Sequence, residues 1–555
     1  MSEHRLIYLP LGGAGEIGMN AYVYGYGEAR KERLIVVDLG VTFPDMEGTP
    51  GVDLILPDIS WLEERRDRIE AIFITHAHED HVGAIGYLWE KLDAPIYARA
   101  FTAHIARRKM LENDLPETMV RTASSWPEKI LAGPFEVSFV PVSHSIPESS
   151  ALAIFSPAGR IIHTGDFKLD KTPIVGEAFD QKLWLDVSKV GIKALVCDST
   201  NIFSNIEGRS ELSLENDIDA LIAGAPHMVV ATTFASNVAR VKTLAEAGRR
   251  AGRSICLMGR AMRRMIETAI ETGILRNFPK VVSPEDASTI PREHLMLLVT
   301  GSQGERRAAS AQLSSGKFQG IELREGDLFL FSSKTIPGNE RSVSRIINQL
   351  SEKGVDVVDD SAGLYHVSGH ANRPDLSYIH GLVQPEMIIP MHGEHRHLRE
   401  HKKLAEKNRI NSVVCKNGMM IELSGNAPKV VEYIETGRIY LDGKAQYGAL
   451  DGIMRDRVRI ALNGLVIVNV VMDDEDDQVG EPWVEIRGLP SSGASGAQLV
   501  DILEEDLSQY IGRAGCKILK DDNALEAGII KIVRLSCHSE IGKRPEVSVI
   551  VGHMA

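Results

Sequence analysis

The sequence predicts a layered α/β fold, with a second α/β unit inserted into the first and a small α/β domain after both. Over the first two hundred residues, short apolar runs that end at polar residues alternate with helical stretches. Near residue 207 a new series of amphipathic helices and strand candidates begins. A strand followed by a histidine then returns at 387–394. We therefore expect the second unit to interrupt the first.

Buried strands are predicted in the first unit wherever a short apolar run meets a turn. They are LIVVD (34–38), AIFIT (71–75), FEVSFVPV (135–142), RIIHT (160–164) and ALVCD (194–198). Helices are predicted over 82–92 and 102–112. Loops that follow strand ends commonly carry functional sites, so polar residues there are the first candidates for function.

The inserted unit and the tail show the same mixture of periodicities. The inserted unit is predicted to contain helices 211–224, 237–252 and 341–353 and strands 254–258, 294–300, 327–333 and 355–358. The tail is predicted to contain strands 459–473, 482–489, 529–535 and 546–552 and a helix over 498–511. Within the tail, the acidic run 473–477 predicts a solvated turn rather than a cation site.

These patterns give a domain organisation with one interruption. The predicted parts are 1–206 and 375–436 for the interrupted domain, 207–374 for the inserted domain, 437–458 for a linker and 459–555 for the C-terminal domain.

Composition excludes several classes of protein. The chain has 555 residues, 43% of them hydrophobic, and a formal net charge of −14. No apolar run approaches the ~20 residues of a membrane span, and the N-terminus lacks the pattern of a signal peptide. Five cysteines without a CxxC pair argue against a disulfide scaffold and a thiolate zinc finger. We expect a cytoplasmic protein that does not bind membranes.

The most informative segment is THAHEDHVGA (75–84), which directly follows a predicted strand. A strand that ends in a turn brings His76 and His78 together, and a helix that starts there projects Asp80 and His81 from its first turn. Imidazole and carboxylate ligands suit zinc, and also manganese, at an open catalytic site. A surface cluster of polar residues is the alternative, but three histidines and an aspartate in seven residues argue against it.

This segment resembles the signature of the metallo-β-lactamase fold, an αββα sandwich. The resemblance implies three later ligands, which His144, Asp166 and His392 match in order, each near the end of a predicted strand. Asp38 matches an early aspartate of the family, which orients ligand histidines rather than binding metal.

The resemblance also implies how two cations are held. One would take His76, His78, His144 and the shared Asp166; the other would take Asp80, His81, Asp166 and His392. We expect two Zn²⁺ per chain, with Mn²⁺ or Mg²⁺ as alternatives. Such a pair holds a hydroxide that attacks phosphorus, and we count Asp80 among the catalytic residues too.

The inserted unit resembles the β-CASP domain of nucleases that act on RNA or DNA. That subfamily carries an acidic residue, a histidine and a final histidine, which Asp198, His370 and His392 match. The resemblance implies that His370 protonates the leaving oxygen and that Asp198 orients it and keeps it cationic.

Further motifs resemble the bacterial ribonuclease J family over essentially the whole chain. They are LGGAGEIGMN (11–20), TFASNVARV (233–241), GRAM (259–262), TGSQGE (300–305), HVSGHA (366–371) and MHGEHRHL (391–398). The glycine run of the first motif resembles a dinucleotide-binding loop, but no acidic residue follows at the required place. We interpret it as a close backbone turn near the metal site.

The family implies a pocket for an RNA 5′ end, and small residues with free backbone N–H groups suit a phosphate. The candidate residues are Ser236, His366, Val367, Ser368, Gly369 and His370. Simple turn geometry is the alternative explanation of the small residues. Eight basic residues against one glutamate in 240–264 also suggest a groove for RNA, although such residues are equally common on solvated helix faces.

The resemblance therefore implies a two-zinc ribonuclease that degrades RNA from 5′-monophosphate ends in the 5′-to-3′ direction and also cuts internally. Maturation of RNA, including ribosomal RNA, and decay of messenger RNA are the expected processes. A homodimer or homotetramer is expected, with other RNA-decay proteins as candidate partners. The alternatives are a small-molecule hydrolase of the same superfamily and a non-catalytic RNA-binding scaffold.

Overall fold

The computed structural model describes residues 4–45, 47–336, 338–473 and 479–554. Its internal contacts divide the chain into two units. The first contains Leu56–Arg438 together with the N-terminal residues up to Thr42, and the second contains Phe43–Ile55 and the residues from Ile439 onward. Apart from Asp473, the acidic run 473–477 lies outside the described residues.

Two large sheets form the body of the first unit. The eight-stranded sheet has the order Lys429–Tyr433, Met419–Glu422, Arg5–Gly12, Ala21–Gly27, Arg33–Val37, Ile69–Phe73, Ile96–Ala98, Val120–Thr122. The seven-stranded sheet has the order Asn411–Ser412, Met387–Met391, Ala194–Asp198, Gly159–His163, Ser150–Ser156, Phe135–Pro141, Ile130–Ala132. The central strands are continuous apolar runs because both faces of each sheet are covered.

The two sheets pack face to face. Tyr8 and Phe73 from the first sheet share one apolar core with Phe139 and Val196 from the second. A second core joins the outer face of the seven-stranded sheet to helices Gln181–Ser188, Arg373–Val383 and His395–Lys407. Helices Glu79–Val82, Ile85–Leu92 and Ala100–Leu111 follow strands of the eight-stranded sheet, and Ser60–Glu63 is a further short helix of this unit. This arrangement is the αββα sandwich that the sequence predicts.

The insertion is visible in the register of two neighbouring strands. Ala194–Asp198 pairs in parallel with Met387–Met391, residue for residue, although the inserted unit separates them in the sequence. The inserted unit has its own core around a fully parallel five-stranded sheet, in the order Ser254–Met258, Leu295–Val299, Val229–Thr232, Leu328–Phe331, Asp356–Val358. Its helices are Glu215–Gly224, Val238–Arg250, Arg260–Glu271, Pro284–Ala287, Ala309–Ser315 and Glu340–Glu352.

Short strand pairs complete the first unit: Lys317–Phe318 with Ile321–Glu322, and Ala14–Gly15 with Gly393–Glu394. The second pair brings the glycine run of the N-terminal motif beside the segment that follows His392.

The C-terminal part contains a hairpin, Arg438–Asp442 with Ala445–Gly448, and a three-stranded sheet with Leu465–Met472 between Trp483–Arg487 and Glu546–His553. Its helices are Ile453–Asn463, Leu499–Arg513, Cys516–Leu519 and Asp522–Ile541. No helix in the described ranges is both long and apolar enough to span a bilayer.

Two predictions for the tail are wrong. Residues 459–463 end a helix instead of starting a strand, and Gly464, at φ +79°, separates the two elements. The run IIKIVRL (529–535) lies inside the helix Asp522–Ile541. Its β-branched residues suggested a strand, but Leu525, Ile529 and Val533 are buried at intervals of four, which is the helical period.

Candidate metal centre

The cluster at 76–81 forms as the local sequence predicts. The strand Ile69–Phe73 ends two residues before Thr75, and the helix Glu79–Val82 begins directly after His78. The side chains of His76 and His81 are buried, whereas the Asp80 side chain keeps 28% of its surface exposed. The turn therefore directs the histidines inward and leaves one carboxylate at the mouth of the site.

Asp166 lies at the centre of the cluster. Its Oδ2 is 3.7 Å from His76 Nε2, 3.3 Å from His81 Nε2, 3.7 Å from His144 Nε2 and 3.4 Å from His392 Nε2. Its Oδ1 is buried and has no hydrogen-bond partner. One carboxylate thus faces four imidazole nitrogens that come from three different segments of the first unit.

The ligand atoms fall into two groups that share this carboxylate, and within each group they lie within 4.8 Å of one another. We call these groups the first set and the second set. The first set is His76, His78, His144 and Asp166, and the second set is Asp80, His81, Asp166 and His392. The predicted ligands therefore meet in the grouping that the family resemblance implies.

Hydrogen bonds fix which nitrogen of each histidine faces Asp166. His144 Nδ1 donates to the Gly369 carbonyl at 2.6 Å, and His81 Nδ1 donates to Asp38 at 2.8 Å. His76 Nδ1 lies 3.0 Å from the Thr75 hydroxyl. Because a neutral imidazole has one N–H, these bonds leave the Nε2 lone pairs pointing towards the carboxylate oxygen.

His78 has the opposite orientation. Its Nε2 is 3.1 Å from the Ser236 hydroxyl, and its Nδ1 is 3.1 Å from both His76 Nε2 and His144 Nε2. Its Nδ1 is therefore the atom that joins the first set.

These contacts fit divalent cations. Imidazole lone pairs and carboxylate lone pairs that face one another repel unless a positive charge lies between them. The unpartnered Asp166 Oδ1 shows that hydrogen bonds within the protein do not use the full capacity of this carboxylate. Five imidazoles and two carboxylates form a donor set suited to zinc or manganese.

The electrostatics of the first set agree with this interpretation. Burial lowers the pKa of His76 and of His144 well below the ordinary value and lowers the pKa of His78 to about 4, so these rings are neutral, as metal ligands must be. For His81, burial lowers the pKa, but Asp166, Asp80 and Asp38 outweigh burial and raise it well above 6.5. The second set thus carries the stronger negative field.

Two residues of the centre have left-handed backbone. Asp38 has φ of +63° and His392 has φ of +49°. Side chains other than glycine adopt this region at a cost of about 1–3 kcal/mol. The surrounding sheets hold both residues in that conformation, where Asp38 reaches His81 and His392 reaches Asp166.

A second pair of predicted residues lies beside the cluster. His370 Nδ1 is 2.8 Å from Asp198 Oδ2, and the His370 ring centroid is 5.0 Å from that of His144. Burial lowers the pKa of His370, but Asp198, Asp166 and Asp80 outweigh it and raise the pKa to about 9. His370 is therefore protonated at neutral pH. Asp198 itself receives a hydrogen bond from the Thr200 hydroxyl at 2.7 Å.

The candidate pocket residues divide into two groups. In the first group, Gly369 and Ser368 have polar atoms that are already hydrogen-bonded within the protein. The Gly369 carbonyl accepts from His144, and the Ser368 hydroxyl accepts from the His370 N–H. Val367 is buried, and the buried His366 Nδ1 has no hydrogen-bond partner. The hydroxyl of Ser236 contacts His78, and Asn237, not Ser236, caps the following helix.

The interpretation of 240–264 as a basic groove is wrong for two of its arginines. Arg240 is completely buried and forms a bidentate pair with Glu211 at 2.9 to 3.0 Å. Arg253 is buried and donates to the carbonyls of His227 and Ala225 at 2.6 Å. Both guanidinium groups satisfy buried acceptors, which a count of charges cannot reveal.

Several residues that contact the ligands carried no assigned role in the sequence. They are Asn20, Thr75 and Thr200, which bond to His392, His76 and Asp198. Their positions held a signal, because Asn20 ends the motif LGGAGEIGMN, Thr75 adjoins the predicted ligand His76, and Thr200 lies two residues after the predicted catalytic Asp198.

Models of known protein families match the chain in successive stretches. The metallo-beta-lactamase superfamily matches residues 15–195, and the ribonuclease J beta-CASP domain matches 226–350. A Zn-dependent metallo-hydrolase RNA specificity domain matches 362–415, and the ribonuclease J C-terminal domain matches 452–554.

Relatives and a solved structure agree with these matches. Ribonuclease J of Sinorhizobium meliloti is 38% identical over 554 residues, covering 99% of this chain and 97% of the relative. Ribonuclease J of Helicobacter pylori is 31% identical, covering 97% of this chain and 78% of the relative. A protein of unknown function from Enterococcus faecalis V583 has a similar fold, with a TM-score of 0.51 at 18% identity over 75% of this chain and 100% of that one.

The geometry and the comparisons lead to one assignment. The sandwich carries a cluster of metal-ligating residues, the inserted domain matches a nuclease domain, and the similarity to ribonucleases extends over nearly the whole chain. The chain belongs to the ribonuclease J family, a family of metal-dependent nucleases with a metallo-β-lactamase domain, an inserted β-CASP domain and a family-specific C-terminal domain.

Proposed function

We propose that this chain hydrolyses RNA both as a 5′-to-3′ exonuclease that prefers 5′-monophosphate ends and as an endonuclease at internal positions. The observation that carries the proposal is the position of Asp166 Oδ2, which faces the Nε2 atoms of four histidines beside the Asp198–His370 pair. A cation pair and a separate acid are what phosphodiester hydrolysis requires.

The first and second sets would hold one divalent cation each. When bound, two such cations supply a nucleophile at neutral pH and neutralise charge on the phosphate. Zinc is the proposed metal because the donors are mostly imidazole nitrogens, with manganese or magnesium as alternatives. Elemental analysis of the purified protein tests the proposal: about two equivalents of zinc are expected, and a single equivalent contradicts it.

The protein contributes the acid. Because His370 Nδ1 donates to Asp198, its second proton is at Nε2 and can pass to the leaving 3′ oxygen. The bond between phosphorus and that oxygen breaks, the upstream nucleotide leaves with a 3′ hydroxyl, and the phosphate remains on the 5′ end of the downstream RNA. Asp198 stabilises the cationic ring, which makes His370 a suitable acid at neutral pH.

A pocket for the 5′ phosphate is proposed near residues 366–369. Arg240 donates to the carbonyls of both Ser332 and Tyr365, so the segments that carry Ser333 and His366 meet there. Ser333 Oγ and His366 Nδ1 are buried without partners. Burial, and then the charges of Arg240 and Lys334, lower the pKa of His366 to about 3, and the same positive potential favours a phosphate.

The test compares RNAs that differ only at the 5′ end. Purified protein is given the same 5′-labelled RNA with a monophosphate or a triphosphate, and the same RNA labelled internally. Release of labelled mononucleotide from the monophosphate form supports exonuclease action, and internal fragments from the triphosphate form support endonuclease action. His370→Ala is the inactive control. Hydrolysis of thioesters or β-lactams without loss of RNA would overturn the proposal.

The assembly and place of action are also proposed. One face of the C-terminal sheet has exposed or half-buried apolar side chains, among them Ile467, Trp483 and Ile550. We propose that a second copy covers such surface in a homodimer or homotetramer that acts on RNA in the cytoplasm, alone or with other RNA-decay proteins. Light scattering with size-exclusion chromatography tests this, and a purely monomeric mass would contradict it.

A further inference from the structure

One side-chain amide contacts every ligand that belongs to the second set alone. Asn20 Oδ1 is 2.8 Å from His392 Nδ1. Asn20 Nδ2 is 3.0 Å from His81 Nε2 and 3.3 Å from Asp80 Oδ2. Asn20 is completely buried, so these contacts do not compete with solvent.

The orientation of this amide follows from a main-chain acceptor. Asn20 Nδ2 lies 2.9 Å from the Asp80 carbonyl oxygen, which can only accept. The atom on that side of the amide is therefore the NH₂ group, and the atom facing His392 is oxygen. Since that oxygen must accept, His392 carries its proton on Nδ1 and presents the Nε2 lone pair to Asp166.

The surroundings leave Asn20 one position. Its main-chain N–H donates to the Asp80 carbonyl, and its own carbonyl accepts from Gly40 N–H, both at 2.9 Å. Tyr22 donates its hydroxyl to Asn20 Oδ1 at 2.7 Å. Gly13 has φ of +81°, and a Cβ there would lie 2.2 Å from Asn20 Oδ1. The main-chain bonds, the Tyr22 hydroxyl and the close approach of Gly13 thus hold the Asn20 side chain in one position.

The first set has different supports. His76 contacts Thr75, His144 contacts the Gly369 carbonyl, and His78 contacts Ser236. None of the hydrogen bonds recorded for the described residues joins Asn20 to His76, His78 or His144. A change at position 20 therefore reaches the two sets unequally.

We propose that Asn20 is a positioning residue for the second set: it holds Asp80 and fixes the tautomer of His392, and so controls occupancy of that set without controlling the first. The inference rests on the proposed pair of cations. Substitution of residues that orient metal ligands typically weakens metal binding by about 10–100-fold. Asn20→Ala should weaken one of two binding steps by that factor and leave the other unchanged.

The experiment is a Mn²⁺ titration of the metal-free full chain, with free Mn²⁺ measured by electron paramagnetic resonance. Wild-type protein should bind two equivalents. Asn20→Ala and the volume-matched Asn20→Leu should bind one equivalent with wild-type affinity and a second about tenfold or more weakly. A direct readout is the ¹⁵N shift of His392 in the metal-free protein, which should lose its pure Nδ1–H character in both variants.

Asn417→Ala is the matched control. Asn417 Oδ1 accepts from Ala14 N–H at 2.9 Å and supports the same glycine-rich loop, without a recorded contact to the second set. This variant should bind both equivalents as wild type does. Circular dichroism and thermal unfolding of all three variants establish that they fold.

The outcomes separate the two proposals. If wild-type protein binds fewer than two equivalents, the proposed pair of cations fails. If wild type binds two and the Asn20 variants also bind two with unchanged affinity, or lose both together, the role assigned to Asn20 is wrong.

Discussion

The two ligand sets share Asp166 but are supported by different parts of the chain. The first set is hydrogen-bonded to Ser236, which lies between the inserted-domain strand Val229–Thr232 and the helix Val238–Arg250, and to Gly369 on the segment that returns from that domain. The second set is supported by Asn20 and Asp38, which lie among strands of the eight-stranded sheet. The difference indicates that the position of the β-CASP domain bears on one half of the centre.

A buried ion pair extends this connection. Arg240 pairs with Glu211 and donates to the Tyr365 carbonyl, four residues before Gly369. The arginine thus links the helix Val238–Arg250 to the segment that orients His144.

The largest expected effect comes from the ligand that both sets share. Asp166→Asn should weaken metal binding at both sets, because a neutral amide replaces the one carboxylate that faces both. We expect kcat/KM on RNA to fall by at least about 10³-fold, since the cations supply several kcal/mol of stabilisation. Metal analysis should show loss of both equivalents. Retention of one tightly bound cation would mean that the sets do not depend equally on Asp166.

Removal of the acid should lower the rate while leaving both sets filled. His370→Ala is expected to reduce kcat by about 10²–10⁴-fold, the usual contribution of general acid catalysis. The measurement pairs single-turnover kinetics with metal content. Loss of metal in this variant would assign His370 to the metal centre instead.

The same residue gives a pH dependence. With its pKa raised to about 9, His370 holds its proton below that pH and loses it above, so activity should fall as pH rises through about 9. Asp198→Asn removes the charge that opposes burial, which lowers the pKa of His370 and should move this basic limb to lower pH. An unchanged limb in that variant would exclude His370 as its source.

Loss of the buried ion pair between Arg240 and Glu211 should lower the free energy of unfolding of the protein. Arg240→Leu leaves the buried Glu211 with Lys168 Nζ, 3.8 Å away, as its cationic neighbour. Because the bidentate pair is lost, we expect a cost of up to about 3–5 kcal/mol, the usual range for breaking a buried pair. Chemical denaturation of the metal-free protein measures this loss. Arg249→Ala, an exposed change on the same helix, should alter stability by less than about 0.5 kcal/mol. Comparable losses in both variants would contradict the structural role of Arg240.

The smallest expected effect is at the contact between Ser236 and His78. Ser236→Ala should weaken only the first set, by about tenfold, in the Mn²⁺ titration. Ser213→Ala removes an exposed hydroxyl elsewhere in the inserted domain and should change nothing. If Ser236→Ala weakened metal binding at the second set instead, the two sets would not have the separate supports described above.

Much of the centre could be predicted because it is local in the sequence. His76, His78, Asp80 and His81 occupy one turn. Asp198 ends its strand, His392 directly follows its own, and Asp166 lies three residues after a strand, so strand prediction also located these side chains. The supports could not be predicted in the same way. Asn20 meets His392 only through the packing of segments 372 residues apart.

Predictions from the count of charged residues and from local secondary-structure preference were wrong where the burial of side chains determines the structure. Arg240 and Arg253 read as surface charges, yet each satisfies acceptors inside the inserted domain. The run 529–535 favoured a strand by composition, yet its helix buries Ile529 and Val533 on one side of the C-terminal sheet. In both cases long-range packing outweighs the local signal.

The split of the sandwich across the inserted domain has a consequence for synthesis. Ala194–Asp198 leaves the ribosome long before its neighbour Met387–Met391, and domains generally fold as the chain emerges. Until His392 has followed, a nascent chain can assemble only the first set. The second set is therefore incomplete while the chain is being synthesised, at a time when its own messenger RNA and the ribosomal RNA are the nearest RNA molecules.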